Sequence, residues 1–202
     1  MSRKIFLDAG AWNGISVSMF RKFWDNHEEF EIYSFACNPK YKNKFKKLDV
    51  NFINKAIWIF DGFINFYLCD DGYGNDWGST LLKNKISGNI DLNNPIEVGC
   101  IDFSKWIMDN FSKTDYIILK IDVEGSEWEV LPKMMKDGSI DYINELYGEW
   151  HVDKIGKTEN DLCIIESNLK KYNLKMRHWC AEKGIVEKIR WWEKFNFFNK
   201  LY

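Results

Sequence analysis

Acidic side chains and one histidine stand directly after short apolar runs of this 202-residue sequence. Asp8 follows the first run, Asp122 follows a later one, and Glu149 and His151 follow a third. Carboxylate and imidazole groups can take a proton from a hydroxyl or bind a divalent cation. If the apolar runs are parallel strands, the residues that follow them meet at one edge of a sheet. The spacing therefore predicts a single acidic cleft.

Three of these side chains form the predicted catalytic set. His151 is the preferred general base, because the ordinary pKa of histidine, about 6.5, lies close to neutral pH. Asp122 is the second candidate for the base. Together with Glu149, Asp122 is also a candidate ligand for Mg²⁺ or Mn²⁺, which would lower the pKa of a bound hydroxyl. The sequence leaves both interpretations of Asp122 open.

The elements that must position these side chains alternate between strands and helices. The predicted strands cover residues 4–7, 31–35, 116–121 and 143–150. The predicted helices cover residues 15–24, 104–111, 126–135 and about 158–172. Strands separated by single helices indicate an α/β fold with a parallel sheet. Ser126 with Glu129, and Thr158 with Asp161, have the spacing of helix capping boxes, and the last 30 residues are predicted to form an antiparallel hairpin.

The turn Asp8-Ala9-Gly10-Ala11-Trp12-Asn13-Gly14 joins the first strand to the first helix. Small residues at such a turn let a ligand approach the backbone N–H groups at the helix start. A carboxylate here would repel a pyrophosphate and suits a ligand that carries an ammonium group. The pattern D-x-G-x-x-x-G predicts a site for S-adenosylmethionine, with an ordinary tight turn as the alternative. The predicted contacts are Asp8, Ala9, Gly10, Asn13 and Gly14.

Residues 56–82 interrupt this alternation. Asp61-Gly62 lies between two β-prone runs and is typical of two-residue turns, so an antiparallel hairpin is predicted. The following stretch, 69–80, is rich in Asp, Gly and Asn and is predicted to be a long loop. Its hydrogen-bonding groups and aromatic rings favour sugar recognition over a solvated turn cluster. The predicted acceptor-binding residues are Asp70, Tyr73, Asp76, Trp77, Ser79 and, after the strand ending near residue 121, Glu124.

The composition indicates one folded domain over residues 1–202. Hydrophobic residues make up 46% of the chain, which is enough for a large core. The formal charge of −2 disfavours a main role in binding nucleic-acid phosphates. The apolar runs are far shorter than the roughly 20 residues of a membrane helix. Five cysteines without a C-x-x-C pair or a preceding leader predict reduced thiols in the cytoplasm.

Four segments resemble the FkbM-type class I methyltransferases. They are residues 6–14, residues 56–62, residues 119–131, which carry the family pattern K-I-D-V-E-G-x-E, and residues 149–151. The resemblance covers nearly the whole chain and implies a Rossmann-like fold with a mostly parallel, seven-stranded sheet. It also implies S-adenosylmethionine as donor and O-methylation, commonly of a sugar or glycan hydroxyl, with deoxyhexoses such as rhamnose or fucose as expected acceptors. Further cofactor contacts are then expected at Asn38, Ala56, Ile57 and Asp122.

One position departs from the family pattern. The family usually has F-E-P-N-P at the end of the second strand, where the glutamate accepts hydrogen bonds from ribose hydroxyls. This chain has Phe35-Ala36-Cys37-Asn38-Pro39. Ala36 cannot accept such a bond, whose loss of about 1.5–3 kcal/mol would weaken cofactor binding roughly tenfold or more. Asn38 or another group would have to compensate.

Two other functions stay open on the sequence alone. One is an RNA or small-molecule methyltransferase on the same fold, and the other is a non-catalytic binding module, which the missing acid at Ala36 suggests. The predicted first strand also begins almost at the first residue. This start favours a domain of a longer glycan-assembly protein. In that respect the chain resembles methyltransferase domains attached to glycosyltransferases of large algal viruses, which would act in the host cytoplasm.

Overall fold

The computed structural model describes residues 2–70 and 76–179. In chain order the strands and α-helices are β1 (Lys4–Ala9), α1 (Ile15–Phe23), β2 (Phe30–Phe35), α2 (Lys42–Phe45), β3 (Asn51–Ile53), β4 (Ala56–Trp58), β5 (Gly62–Phe66), β6 (Ile96–Asp102), α3 (Phe103–Asn110), β7 (Tyr116–Ile121), α4 (Glu127–Asp137), β8 (Glu145–Gly148), α5 (Glu159–Lys170) and β9 (Met176–His178). Short 3₁₀ helices cover His27–Glu29, Pro39–Tyr41, Ser139–Tyr142 and Asp153–Ile155.

The main sheet has six strands in the order β3-β2-β1-β7-β8-β9. Every neighbouring pair in it is parallel, which confirms the predicted Rossmann-like α/β fold. The chain order reverses between β1 and β7, and ligands of open parallel sheets bind outside the strand ends at such a reversal. The second arm of the predicted C-terminal hairpin, residues 190–198, lies outside the described residues.

The two central strands are buried on both faces. Leu7 and Leu119 pack on one face within a large cluster that includes residues of α3 and α4. Phe6 points to the opposite face and stacks on Phe20 of α1, with 4.0 Å between the ring centroids. Parallel strands covered on both faces have nearly continuous apolar sequences, which is why these runs were recognisable. The buried centre gives the strand ends a rigid base.

The predicted hairpin around Asp61-Gly62 is wrong. β4 and β5 lie in a separate three-stranded sheet, where both pair with β6 and not with each other. β6 runs parallel to β4 and antiparallel to β5. β6 is the middle strand of this sheet. Its apolar side chains Val98 and Cys100 are both buried, as expected for a central strand. The Asp61 carboxylate instead accepts a hydrogen bond of 3.2 Å from the backbone N–H of Asp102.

The two predicted capping boxes have different outcomes. Thr158 and Asp161 form the complete reciprocal box at the start of α5. The predicted box of Ser126 and Glu129 is wrong, because within the described chain the Ser126 side chain makes no capping bond to α4. Its neighbour Glu127 accepts a 3.0 Å bond from the backbone N–H of Gly125 instead. Glu127 is thereby fixed at the end of β7.

The helices of the described residues are short. The longest, α5, has 12 residues. Across residues 2–70 and 76–179, no helix is both long enough and apolar enough to cross a bilayer.

Candidate active site

A cleft lies at the carboxyl ends of β1, β2 and β7, where the strand order reverses. The enclosed part of the cleft measures about 90 Å³, and about 600 Å³ of empty space is present when the open mouth is counted. Its walls come from the turn after β1, the segment after β2, strand β4, residues 76–81 and the segment after β7. Many predicted site residues line it, namely Gly10, Asn38, Ala56, Ile57, Asp76, Trp77, Ser79, Asp122 and Glu124.

Other predicted contacts lie elsewhere. Among the described residues, Asp8, Ala9, Asn13, Gly14 and Asp70 do not line the cleft. The Asn13 side chain accepts a 3.1 Å hydrogen bond from the backbone N–H of Ile15 and so caps the start of α1. Tyr73 lies outside the described residues.

Asp8 is buried beneath the turn after β1 and stabilises it. Its side chain is fully buried, accepts a 2.5 Å hydrogen bond from the Ser16 hydroxyl, and lies 3.4 Å from the Lys120 ammonium. Burial raises the pKa of Asp8, and Lys120 and Ser16 oppose that rise. The carboxylate therefore does not face a ligand in the cleft. This corrects the prediction that Asp8 contacts an ammonium group directly.

Lys120 links the ends of the two central strands. Its ammonium donates a 2.9 Å hydrogen bond to the Gly10 carbonyl and lies 3.7 Å from the Asp122 carboxylate. The Lys120 side chain is only 4% exposed and Asp8 is fully buried, so this pair of charges lies out of water, whereas Asp122 is 35% exposed. Lys120 was not among the site residues predicted from the sequence. A lysine inside the apolar run Ile117–Ile121 was the available signal.

Gly10 allows the turn after β1 to touch the end of β7. Its φ is +84°, and a Cβ added there would lie 1.9 Å from the Asp122 carbonyl oxygen. Its backbone N–H donates a 3.2 Å hydrogen bond to the Phe35 carbonyl at the end of β2. A residue without a side chain is therefore required where the ends of β1, β2 and β7 converge.

His151 is held between carboxylates. Its Nδ1 lies 2.8 Å from Glu127 Oε1, which also accepts a 3.0 Å bond from the His151 backbone N–H. On the other side of the ring, Nε2 lies 3.4 Å from Glu124 and 3.8 Å from Asp122. The ring is buried, so these acids dominate its surroundings. His151 therefore lies close to Asp122, whereas, among the described residues, Glu149 and His151 do not line the cleft itself.

The protonation of His151 differs from the sequence-based prediction. Burial alone would lower its pKa, but hydrogen bonds and charges from Glu124 and Glu127 outweigh burial and raise it to about 10. Burial likewise opposes ionisation of Glu124, yet His151 and Lys85 lower the pKa of that carboxyl to about 2. The neighbouring carboxylates therefore favour the imidazolium form of His151 at neutral pH. An imidazolium cannot accept a proton, which argues against the predicted role of His151 as the base.

Lys85 is a second buried lysine that the sequence analysis missed. Its ammonium pairs with the Glu124 carboxylate and also donates to the Gly78 carbonyl. The side chain is 2% exposed. Lys85 therefore connects the loop at residues 76–81 to the acids after β7. Its position in a polar stretch gave no sign of this burial.

Asp122, Glu149 and His151 each place one potential metal-ligand atom within 4.8 Å of the other two. Glu149 is exposed and lies 3.7 Å from the Lys154 ammonium. The site already contains two cations, because Lys120 and protonated His151 both face Asp122. A divalent ion at this position would have to displace the proton on His151 Nε2. The distances among these three side chains thus allow the predicted metal site, whereas the positive charges of Lys120 and His151 oppose binding of a divalent cation.

The Asp76 carboxylate fastens its loop to the neighbouring walls of the cleft. It accepts hydrogen bonds of 2.8 Å from the Trp12 indole and 2.9 Å from the Asn38 amide, and a further one from the Tyr41 hydroxyl. The Lys40 ammonium lies 3.3 Å away. Asp76 therefore joins the loop to the turn after β1 and to the segment after β2.

Ser79 and Trp77 differ in exposure. The Ser79 hydroxyl donates a 2.6 Å bond to the Asp76 carbonyl and accepts one of 2.9 Å from the Cys69 N–H, so it stabilises the loop. Trp77 is 65% exposed, and its ring centroid lies 6.3 Å from that of Trp12. A large exposed indole at a cleft is typical of a ligand-binding surface.

The ionisation of His151 predicts a pH-dependent stability. Its pKa is raised from 6.5 to about 10, so the stabilisation is complete below pH 6.5 and is lost as the pH rises to about 10. We expect the free energy of unfolding, from urea titrations, to fall by on the order of 3 kcal/mol over this range. His151→Gln should flatten the profile, and His27→Gln should not. A His151→Gln profile parallel to wild type would contradict the ion-pair geometry.

Comparison with known proteins identifies the family to which the chain belongs. The model of the methyltransferase FkbM domain matches residues 8–184. Searches among curated proteins and among solved structures gave no match. The matched range includes the turn after β1 and the end of β7, which line the cleft, and the Glu149–His151 segment, whose histidine lies beside Asp122. The chain therefore belongs to the FkbM methyltransferase family.

Proposed function

We propose that the chain is an S-adenosylmethionine-dependent O-methyltransferase that acts on a sugar hydroxyl in a glycan, with a deoxyhexose such as rhamnose or fucose as acceptor. Membership of the FkbM methyltransferase family supports methyl transfer as the reaction. The observation that carries the finer proposal is the position of Asp122. Its side chain is 35% exposed and lines the same cleft as Gly10 and the exposed Trp77.

The residues of the cleft suit S-adenosylmethionine. The apolar side chains of Phe35, Ala56 and Ile57 can pack on an adenine ring, and Asp122 and Glu124 suit a positively charged sulfonium. When bound, the cofactor would supply an electrophilic methyl group. Gly10 lines the same side of the cleft, and the absence of a side chain there lets the turn after β1 pack against Asp122.

We assign the proton acceptor to Asp122. A neutral alcohol is a poor nucleophile, so its proton must be removed during methyl transfer. Asp122 is the more exposed of the two acids of the group that line the cleft, at 35% against 18% for Glu124, whereas the raised pKa of His151 favours its protonated form. Lys120 and His151 act as positioning residues, because they approach the Asp122 carboxylate at 3.7 and 3.8 Å. The exposed part of Asp122 allows the proton to leave to water.

Trp77 is proposed to bind the acceptor. Sugar rings have apolar faces that pack on flat aromatic rings, and Trp77 presents such a ring beside the acids. We expect Trp77→Ala to raise the KM for the sugar about tenfold and to change kcat little. Initial-rate measurements check this, with Trp77→Phe as the conservative control. A fall in kcat at unchanged KM would remove Trp77 from acceptor binding.

Mass spectrometry of candidate acceptors tests the whole proposal. A panel of deoxyhexosides and short RNAs is incubated with S-adenosylmethionine, and a gain of one methyl group is sought. Methylation of a sugar is the expected result, and methylation of RNA alone would overturn the acceptor class. Parallel reactions with EDTA, and then with added Mg²⁺ or Mn²⁺, test the metal site. Calorimetry without heat at millimolar S-adenosylmethionine would overturn both enzymatic functions.

A further inference from the structure

The end of β2 lacks the acid that a bound nucleoside normally requires. In parallel α/β folds, a carboxylate near this strand end accepts hydrogen bonds from ribose hydroxyls. Ala36 occupies that position here and lines the cleft with its methyl group. The next polar side chain of the segment is Asn38, whose amide donates to Asp76 and whose carbonyl accepts from the Lys40 N–H. Both polar groups of the Asn38 amide are thus already engaged within the protein, and neither carries the negative charge of a carboxylate.

A carboxylate reaches the same place from another part of the chain. Asp76 lies 38 residues beyond Asn38 in sequence, yet its Oδ2 is 2.9 Å from the Asn38 amide. Its side chain is 10% exposed and lines the cleft together with Ala36. The bonds from Trp12 and Tyr41 to Oδ1 fix its orientation. An acid is therefore held, with little freedom, beside the position where the strand has none.

One hydrogen-bond partner of Asp76 can be replaced by a hydroxyl group of a ligand. The donors Trp12, Asn38 and Tyr41 make part-buried hydrogen bonds, so breaking one of these would leave a polar group poorly solvated. The Lys40 contact is the longest of the four, 3.3 Å, and the Lys40 side chain is 56% exposed. Its ammonium can return to water without loss of solvation. A hydroxyl group can then donate to Asp76 Oδ2 in its place.

We propose that Asp76 supplies the carboxylate that position 36 lacks and accepts a hydrogen bond from a ribose hydroxyl of the cofactor. The proposal rests on the proposed function, because it requires a cofactor that contains a nucleoside. It moves Asp76 from the acceptor side of the cleft, where the sequence placed it, to the cofactor side. It also explains why a loop residue is fixed by donors from two separate walls.

Nucleoside analogues test this assignment. Adenosine, 2′-deoxyadenosine and 3′-deoxyadenosine are titrated by calorimetry in competition with S-adenosylhomocysteine. Wild type should bind adenosine about tenfold more tightly than at least one deoxy analogue, as expected for one charge-assisted hydrogen bond. In Asp76→Ala this ratio should fall to about one. A ratio that stays at the wild-type value, with all three ligands weakened equally, would show that Asp76 only fastens the loop.

A second variant separates ribose binding from loop structure. Ala36→Glu added to Asp76→Ala returns an acid to the strand end and should restore the preference for adenosine. A ratio that stays lost in this double variant would attribute the effect to the loop and overturn the proposal. If Asp76→Ala fails to fold by circular dichroism, the isosteric Asp76→Asn is used, and a preference equal to wild type counts against the proposal. If wild type does not bind S-adenosylhomocysteine, the proposed function itself fails. If it binds but does not discriminate, only this inference fails.

Discussion

Asp122→Asn is expected to lower kcat for methyl transfer by about 10²–10⁴-fold, the usual contribution of a general base. The asparagine amide has the shape of the carboxylate, and its oxygen can still face Lys120, but it cannot take a proton. Affinity for S-adenosylhomocysteine should stay within about tenfold of wild type, because this product lacks the sulfonium charge that Asp122 would attract. Single-turnover mass spectrometry measures the first quantity and calorimetry the second.

Two matched variants serve as controls for the expected loss of activity in Asp122→Asn. Glu149→Gln changes an exposed acid of the same group and should lower kcat much less, because Glu149 is not a member of the lining. His151→Gln should leave a residual rate above that of Asp122→Asn, since His151 only positions the acid. Near-normal turnover of Asp122→Asn would remove it as the base. A larger loss in His151→Gln would return that role to the histidine.

Gly10→Ala is expected to lower the free energy of unfolding by about 3–5 kcal/mol and to abolish binding of S-adenosylhomocysteine. The added Cβ would meet the Asp122 carbonyl oxygen at 1.9 Å, so the turn after β1 and the end of β7 would have to separate. The positive φ of +84° adds about 1 kcal/mol of backbone strain. Urea titration measures the stability, and calorimetry measures binding.

The chain offers a close control for this variant. Gly138, just after α4, has a φ of +83°, and an added Cβ there would meet nothing within 4 Å. Gly138→Ala therefore carries the backbone strain without the overlap and should cost about 1 kcal/mol. Equal losses in the two alanine variants would show that the contact between the turn and β7 is not what stabilises the cleft.

The main sheet was predictable because its signals are local. β7 spans Tyr116–Ile121, as the sequence indicated, since a strand buried on both faces is a continuous apolar run. The box at Thr158 likewise involves residues three apart. β6 was missed for the opposite reason. Its partners in β4 and β5 are 30 or more residues away, and the Asp61-Gly62 turn signal suggested that β4 and β5 pair with each other.

The position of the site at the strand ends could be predicted from the sequence, but the charges of its side chains could not. The rule that ligands bind at the carboxyl ends of parallel strands was enough to bring Asp122 and His151 together. The charge on His151 depends on Glu124 and Glu127 on opposite sides of its ring, which no sequence spacing states. The bond between Asp76 and Asn38 crosses 38 residues and is equally invisible in the sequence. The expected parent chain with glycosyltransferase domains stays a prediction.

The loop at residues 76–81 has a thermodynamic consequence. Asp76 fastens it to the proposed cofactor side, and the adjacent Trp77 presents its ring to the proposed acceptor. Trp77 and Asp76 are adjacent in one backbone segment, so a shift of the Trp77 ring on sugar binding would also move the Asp76 carboxylate. Any resulting coupling of the two affinities has the same factor in both directions. The donor and the acceptor are thus expected to bind cooperatively, with each lowering the dissociation constant of the other.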